Sequence, residues 1–166
     1  KIAKLFSKKY GLMVNSGSSA LLLAMETLDI PEGSEVITPA LTFSTTVGYI
    51  VKNKLIPVFV DVEEGTYCIN EKKINDLITK KTRAIVAPHL MGNIVNWKKI
   101  APMLKKKGIV IIEDSADTLG ATHKNKSAGH YTDISITSFY GSHIINCAGN
   151  GGMVCINNKR QYTKAK

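Results

Sequence analysis

Cysteine is scarce and scattered in this 166-residue sequence: Cys68, Cys147 and Cys155 form no CxxC pair, a pattern that indicates neither a zinc site nor a disulfide framework and fits a reducing, cytoplasmic setting. Acidic residues are also few, 13 against 22 Lys and Arg, for a formal charge of +9. Such an excess suits nucleic acid, an anionic membrane surface or a phosphorylated substrate. The lysines are dispersed, however, with short clusters only at Lys80-Lys81 and Lys105 to Lys107, and no aromatics interleave with them. The charge therefore reads as a solvated surface, and nucleic acid is not an expected partner. No apolar run is long enough to span a bilayer, so no membrane partner is expected either. His89, His123 and His130 lack the spacing of a metal cluster, and no metal is expected; His89 reads as a pocket neighbour and the other two as surface. The sequence opens on Lys1 without a signal-peptide pattern and stops at Lys164-Ala-Lys166 without a helix stop signal, so it reads as one domain within a longer chain.

What is present is an alternation of helical and strand patterns. Lys1 to Tyr10 is expected to be the tail of a helix stopped by Gly11, followed by the apolar run Leu12-Met-Val14. Leu21, Leu22, Met25 and Leu28 have helical spacing and predict a helix over 20–28. Strands are expected at 35–38, 56–60 (buried), 84–87, 109–112, 134–139 and 153–156, with helices over 44–53, from Asn70 or Glu71 to Ile78, and over 97–107. Lys124-Asn-Lys126 reads as a hairpin turn. Such alternation predicts an α/β fold of three layers, α/β/α, with a mainly parallel sheet whose ligands bind at the carboxyl ends of the strands. Pro39 to Phe43, Asp61, His89, Asp114 and the loop after Ser138 fall at those ends.

Several of these segments carry chemistry. In Asn15-Ser-Gly17-Ser18-Ser19-Ala the residues are small and a helix starts at once. Free N–H groups and the helix dipole there favour a phosphate, although the same run also serves as an ordinary serine N-cap. It is neither a Walker A loop nor GxGxxG. Asp114, in Glu113-Asp114-Ser-Ala-Asp117, follows an apolar strand; it can hold a cationic ring nitrogen or simply cap a helix. Phe43 can stack on a flat ring or belong to the core. His143 is suited to proton transfer near neutral pH and lies between Ser138 and the turn formed by Gly149, Gly151 and Gly152.

The order and separation of Asn-Ser-Gly-Ser-Ser-Ala, Glu-Val-Ile-Thr-Pro-Ala-Leu-Thr-Phe, Pro-Val-Phe-Val-Asp-Val, Ala-Pro-His-Leu-Met-Gly, Ile-Ile-Glu-Asp-Ser-Ala-Asp and Ser-Phe-Tyr-Gly-Ser-His resemble the sugar-aminotransferase family of DegT/StrS type, over roughly residues 11–157. The resemblance implies the large cofactor domain of a fold type I pyridoxal-phosphate enzyme. It implies that Gly17 and Ser18 bind the cofactor phosphate with Ser138, that Phe43 stacks on the ring, that Asp114 pairs with the ring nitrogen, and that Asp117 also belongs to the cofactor-binding set. The family keeps a Schiff-base lysine five residues after the serine, where this chain has His143, and usually a glutamine where it has Asp117. Both departures resemble a subgroup of sugar 3-dehydratases, whose segment usually reads Ser-Phe-Tyr-Pro-Ala-His; Gly141, Ser142 and Asn150 differ from the usual pattern.

A histidine cannot form the imine that tethers pyridoxal phosphate. The resemblance therefore implies pyridoxal or pyridoxamine phosphate held without a covalent link, a nucleotide-sugar substrate, and His143 as the proton-transferring residue. Ala116 stands where one branch of the subgroup has a cluster cysteine, which argues against an iron–sulfur cluster. The family's members are dimers with the active site at the interface, and their chains are longer, with a smaller C-terminal domain. Residues 1–166 are thus expected to be a single, partial large domain without that C-terminal part. Two further readings stay open: an aminotransferase-like enzyme of the same family, and a non-catalytic protein that binds cofactor or sugar nucleotide.

Overall fold

A computed structural model describes residues 1–166. The chain runs α1 (Ile2–Leu5), β1 (Tyr10–Val14), α2 (Gly17–Glu26), β2 (Glu35–Pro39), α3 (Ser44–Lys52), β3 (Ile56–Val60), α4 (Ile74–Leu77), β4 (Thr82–Pro88), α5 (Trp97–Lys106), β5 (Val110–Asp114), the short pair β6 (Thr122–His123) and β7 (Lys126–Ser127), β8 (Ile134–Ser138), β9 (Gly152–Ile156) and α6 (Lys159–Ala165). Seven strands form one sheet in the order β1-β9-β8-β5-β4-β2-β3. All run parallel except β9, which pairs antiparallel with both β8 and β1. No helix is long and apolar enough to cross a membrane.

The layers follow from strand alternation. Val36, Ala84, Val86, Ile112 and Ile136 face one side and pack under Ala20, Leu21, Ala24 and Met25 of α2 and Ile50 of α3. Ile37, Ile85, Ala87 and Ile111 face the other side and pack under Trp97, Ile100, Ala101 and Leu104 of α5. Continuous apolar strands buried on both faces are the mark of a parallel sheet between two helical layers. This is the three-layer α/β/α arrangement read from the sequence. The hairpin is present too: β6 and β7 pair across Lys124 and Asn125, both at positive φ (48° and 61°) as a tight primed turn requires.

Three local expectations are corrected. The first helix ends at Leu5, not Tyr10. Ser7 takes φ 55° and turns the chain inward. The Lys8 ammonium then donates to the carbonyls of Gly129 and Thr132, and Tyr10 begins a strand on β9. β3 is a strand but not a buried one: it lies at the sheet edge against β2 alone, leaving Ile56 and Phe59 45% and 50% exposed. The helix expected from Asn70 or Glu71 is only α4, because the Asn70 side chain accepts the Lys72 N–H and holds a turn there.

Candidate functional site

The sheet's carboxyl ends and the N-terminus of α2 enclose a cleft of about 840 Å³. The end of the cleft at the start of α2 is built from backbone. Ser16 caps α2, its hydroxyl accepting the Ser19 N–H at 3.1 Å. The amides of Gly17 and Ser18 fall in the first turn, where no intrahelical acceptor exists and the helix dipole is positive. Glycine is required here by proximity. A Cβ on Gly17 would lie 2.7 Å from Ser138 Cβ, and one on Gly152 would lie 2.2 Å from the Ser16 carbonyl oxygen. Two glycines thus let α2 press onto the ends of β8 and β9, with Ser138 beside its first turn. The result is a shallow anion cradle that side chains would fill.

Phe43 stands at the mouth of the cleft, 67% exposed, immediately before α3. The core alternative for this residue is therefore excluded, and its ring face is free to stack. Asp114 ends β5 on the cleft side, its Oδ1 accepting the Ala116 N–H at 2.9 Å. Burial pushes its carboxyl from 3.8 up to about 6; Asp117 adds to the rise, while the Ala116 N–H, His89 and His143 oppose it. Asp114 forms no salt bridge within the chain, so it is a half-buried acid without a cation. Asp117 and His143 line the same cleft, with His143 Nε2 3.8 Å from Asp117 Oδ1.

The cost at Asp114 has a measurable sign. Its folded pKa lies above the unfolded one, so the native state binds the extra proton between about pH 4 and 6 and loses stability across that window as pH rises. Above it, the penalty is about 3 kcal/mol in the ligand-free state. An Asp114→Asn variant of the full-length protein is expected to gain most of that stability at pH 7, and the drop between pH 4 and 6 should vanish from urea titrations. An unchanged pH profile would show that the carboxylate is already compensated.

The structure brings most of the candidates together: Gly17, Ser18, Phe43, Asp114, Asp117, Ser138 and His143 all line the cleft, as do Asn150 and Gly151. Asp61 does not join them; it is exposed and bound to Lys73 at 3.0 Å. His89 lines the cleft yet is buried, its Nε2 2.9 Å from Glu113 Oε2 and its Nδ1 accepting the Val95 N–H at 3.0 Å. The Val95 contact fixes the tautomer, so Nε2 carries the proton and donates to Glu113. Behind Glu113 lies buried Lys8, whose ammonium burial pushes down to about 8 against the opposing pull of Glu113. This far-side network was missed in the sequence. One signal was available: alternation after Ile112 puts adjacent Glu113 and Asp114 on opposite faces, so only one of the two can reach the cleft. Nothing in Ser7-Lys8-Lys9 marks Lys8 as buried.

Comparison with known proteins agrees with this geometry. The DegT/DnrJ/EryC1/StrS aminotransferase family model matches residues 1–166. A dTDP-4-dehydro-2,6-dideoxy-D-glucose 3-dehydratase of Saccharopolyspora spinosa is 40% identical over 162 residues, covering 93% of this chain and 35% of that protein. GDP-perosamine synthase of Escherichia coli O157:H7 is 37% identical over 164 residues, covering 99% of this chain and 45% of that protein. Among solved structures, the E. coli GDP-4-keto-6-deoxy-D-mannose-3-dehydratase with bound hydrated PLP superposes with a TM-score of 0.90 at 32% identity, covering 96% of this chain and 42% of the other. The chain thus spans less than half the length of these relatives.

Proposed function

The chain belongs to the DegT/DnrJ/EryC1/StrS aminotransferase family, and on that premise we propose that the protein is a pyridoxamine- or pyridoxal-phosphate-dependent dehydratase acting at C3 of a nucleotide-linked 4-keto-6-deoxy sugar. One observation carries the reading: the cleft lining holds His143 and no lysine. Without an amine in the cleft lining to form an imine, the cofactor is held by contacts alone.

The residues present fit such a cofactor. Gly17, Ser18 and Ser138 hold its phosphate at the α2 cradle, Phe43 covers its ring, and Asp114 receives the ring nitrogen as the cation it lacks. When bound, pyridoxamine phosphate supplies an amine that condenses with a keto sugar and a ring that draws electrons from the adjacent carbon. Asp114 keeps that ring nitrogen protonated. His143 takes the carbon-bound proton at Nε2 and returns one to the departing C3 hydroxyl, which leaves as water. We place a second copy of the chain over the apolar rim formed by Leu41, Phe43, Met91, Tyr140, Ile144 and Ile145, all exposed here, so that the site closes at a homodimer interface.

The test is an absorbance spectrum of the full-length protein with pyridoxal phosphate before and after borohydride, together with binding of pyridoxamine phosphate. Stable pyridoxamine phosphate binding and no borohydride-sensitive link support the dehydratase. A reducible covalent link would mean that a lysine reaches the site, and the aminotransferase-like reading would replace it.

A further inference from the structure

Asp117 lines the cleft with both carboxylate oxygens already facing groups of this chain. Its Oδ2 accepts the Met91 N–H at 3.0 Å. Met91 donates from φ 53°, in a loop whose next residue, Gly92, is at φ 85°. A left-handed non-glycine residue is a strained conformation that surrounding structure must impose. The loop after β4 is therefore bent to aim an amide at one carboxylate oxygen. The other oxygen faces His143, the sole basic side chain with which Asp117 forms an ion pair.

His143 is equally constrained. Its Nδ1 is buried without a hydrogen-bond partner. Its N–H backbone donor is tied to the Tyr140 carbonyl at 3.0 Å, and the Tyr140 ring meets the imidazole edge-on. With Nδ1 walled off, Nε2 is the nitrogen that opens to the cleft and to Asp117. We propose that Asp117 is a positioning residue for His143: it orients the imidazole and stabilises the cation formed when Nε2 takes a proton. This rests on the dehydratase reading for its place in catalysis, but the pairing itself does not. The physical logic is Coulombic: a carboxylate 3.8 Å from Nε2 attracts the imidazole more strongly as positive charge develops on the ring.

The experiment uses the full-length protein with pyridoxamine phosphate, comparing parent, Asp117→Asn and Asp117→Glu. Three quantities are read: cofactor Kd by fluorescence titration, kcat at saturating cofactor and substrate, and the imidazole ¹⁵N signals of His143. Asparagine is expected to lower kcat by about tenfold to hundredfold, to leave Kd within about twofold, and to move the Nε2 signal; glutamate is expected to recover part of both effects. A Kd weakened tenfold with kcat and the nitrogen signals unchanged would make Asp117 a cofactor contact and overturn the proposal. Should the parent show no dehydration, the functional reading falls, while the ¹⁵N signals still decide whether Asp117 governs His143. An unfolded asparagine variant is recognised by circular dichroism, and the glutamate variant then carries the same three readouts.

Discussion

Replacing His143 by alanine in the full-length protein is expected to lower dehydration by two to four orders of magnitude while leaving pyridoxamine phosphate affinity almost unchanged, since a positioned acid–base group contributes about 10²–10⁴ in rate. The separation follows from the structure. His143 stands on the loop after β8, apart from the α2 cradle and from Asp114 on β5, so its loss removes neither the anion site nor the partner of the ring nitrogen. His143→Lys makes the sharper experiment. An amine at this position is expected to give a borohydride-sensitive link to pyridoxal phosphate where the parent gives none, because lysine can form an imine and imidazole cannot. An alanine variant that keeps more than a tenth of parental turnover, or a lysine variant that forms no link, would remove His143 from the reacting centre.

The second large effect is structural and has a built-in control. A Cβ at residue 152 would lie 2.2 Å from the Ser16 carbonyl oxygen, 2.3 Å from its carbon and 2.6 Å from the Gly17 nitrogen. All three atoms are backbone, so no rotamer change relieves the clash. Either β9 leaves its register with β8 or α2 lifts from the sheet. Gly152→Ala is therefore expected to cost about 3 kcal/mol or more, the upper end of overpacking effects, and to abolish phosphate binding at the α2 cradle. Gly48, exposed within α3, has nothing within 4 Å of the same added atom. There alanine is expected to stabilise by about 0.5–1 kcal/mol through helix propensity. Opposite signs from one substitution, read by urea denaturation, would confirm that the close approach and not glycine's flexibility is what residue 152 supplies; equal effects would refute it.

The layered sheet was legible because its strands are buried on both faces. A run such as Ile109-Val-Ile-Ile112 admits few other environments, and the residues after such strands fall where a parallel sheet gathers ligands. That is why Ser138, Asp114 and Phe43, distant in sequence, could be assigned to one cleft. The contacts that tune the cleft were less legible. The buried Lys8 looks like any surface lysine, since its position depends on carbonyls at Gly129 and Thr132 that only the folded chain brings near. The exposure of β3 depends on its place at the sheet edge, which its apolar run does not encode. The antiparallel β9 did leave a trace: the connection over 139–151 holds no helix, and a parallel return needs a crossover of a dozen residues or more, usually helical. The anchoring of Asp117 by Met91 left none, because a left-handed Met has no local signature.

The pairing of β1 with β9 also orders events during synthesis. Val14 finds its partner only in Gly152, and the α2 cradle only when that same glycine arrives. At about 5–20 residues added per second, β1 waits roughly 7 to 30 s on the ribosome before the strand that covers it emerges. Until then its Leu12 and Val14 have no sheet neighbour, and the anion site lacks one wall. Strands β2 to β5 can associate earlier, since each partner lies close by in the chain. The packing of α2 onto the sheet is therefore completed late in synthesis, and a chain interrupted before residue 152 has most of its sheet strands but lacks the glycine that seats the first turn of α2.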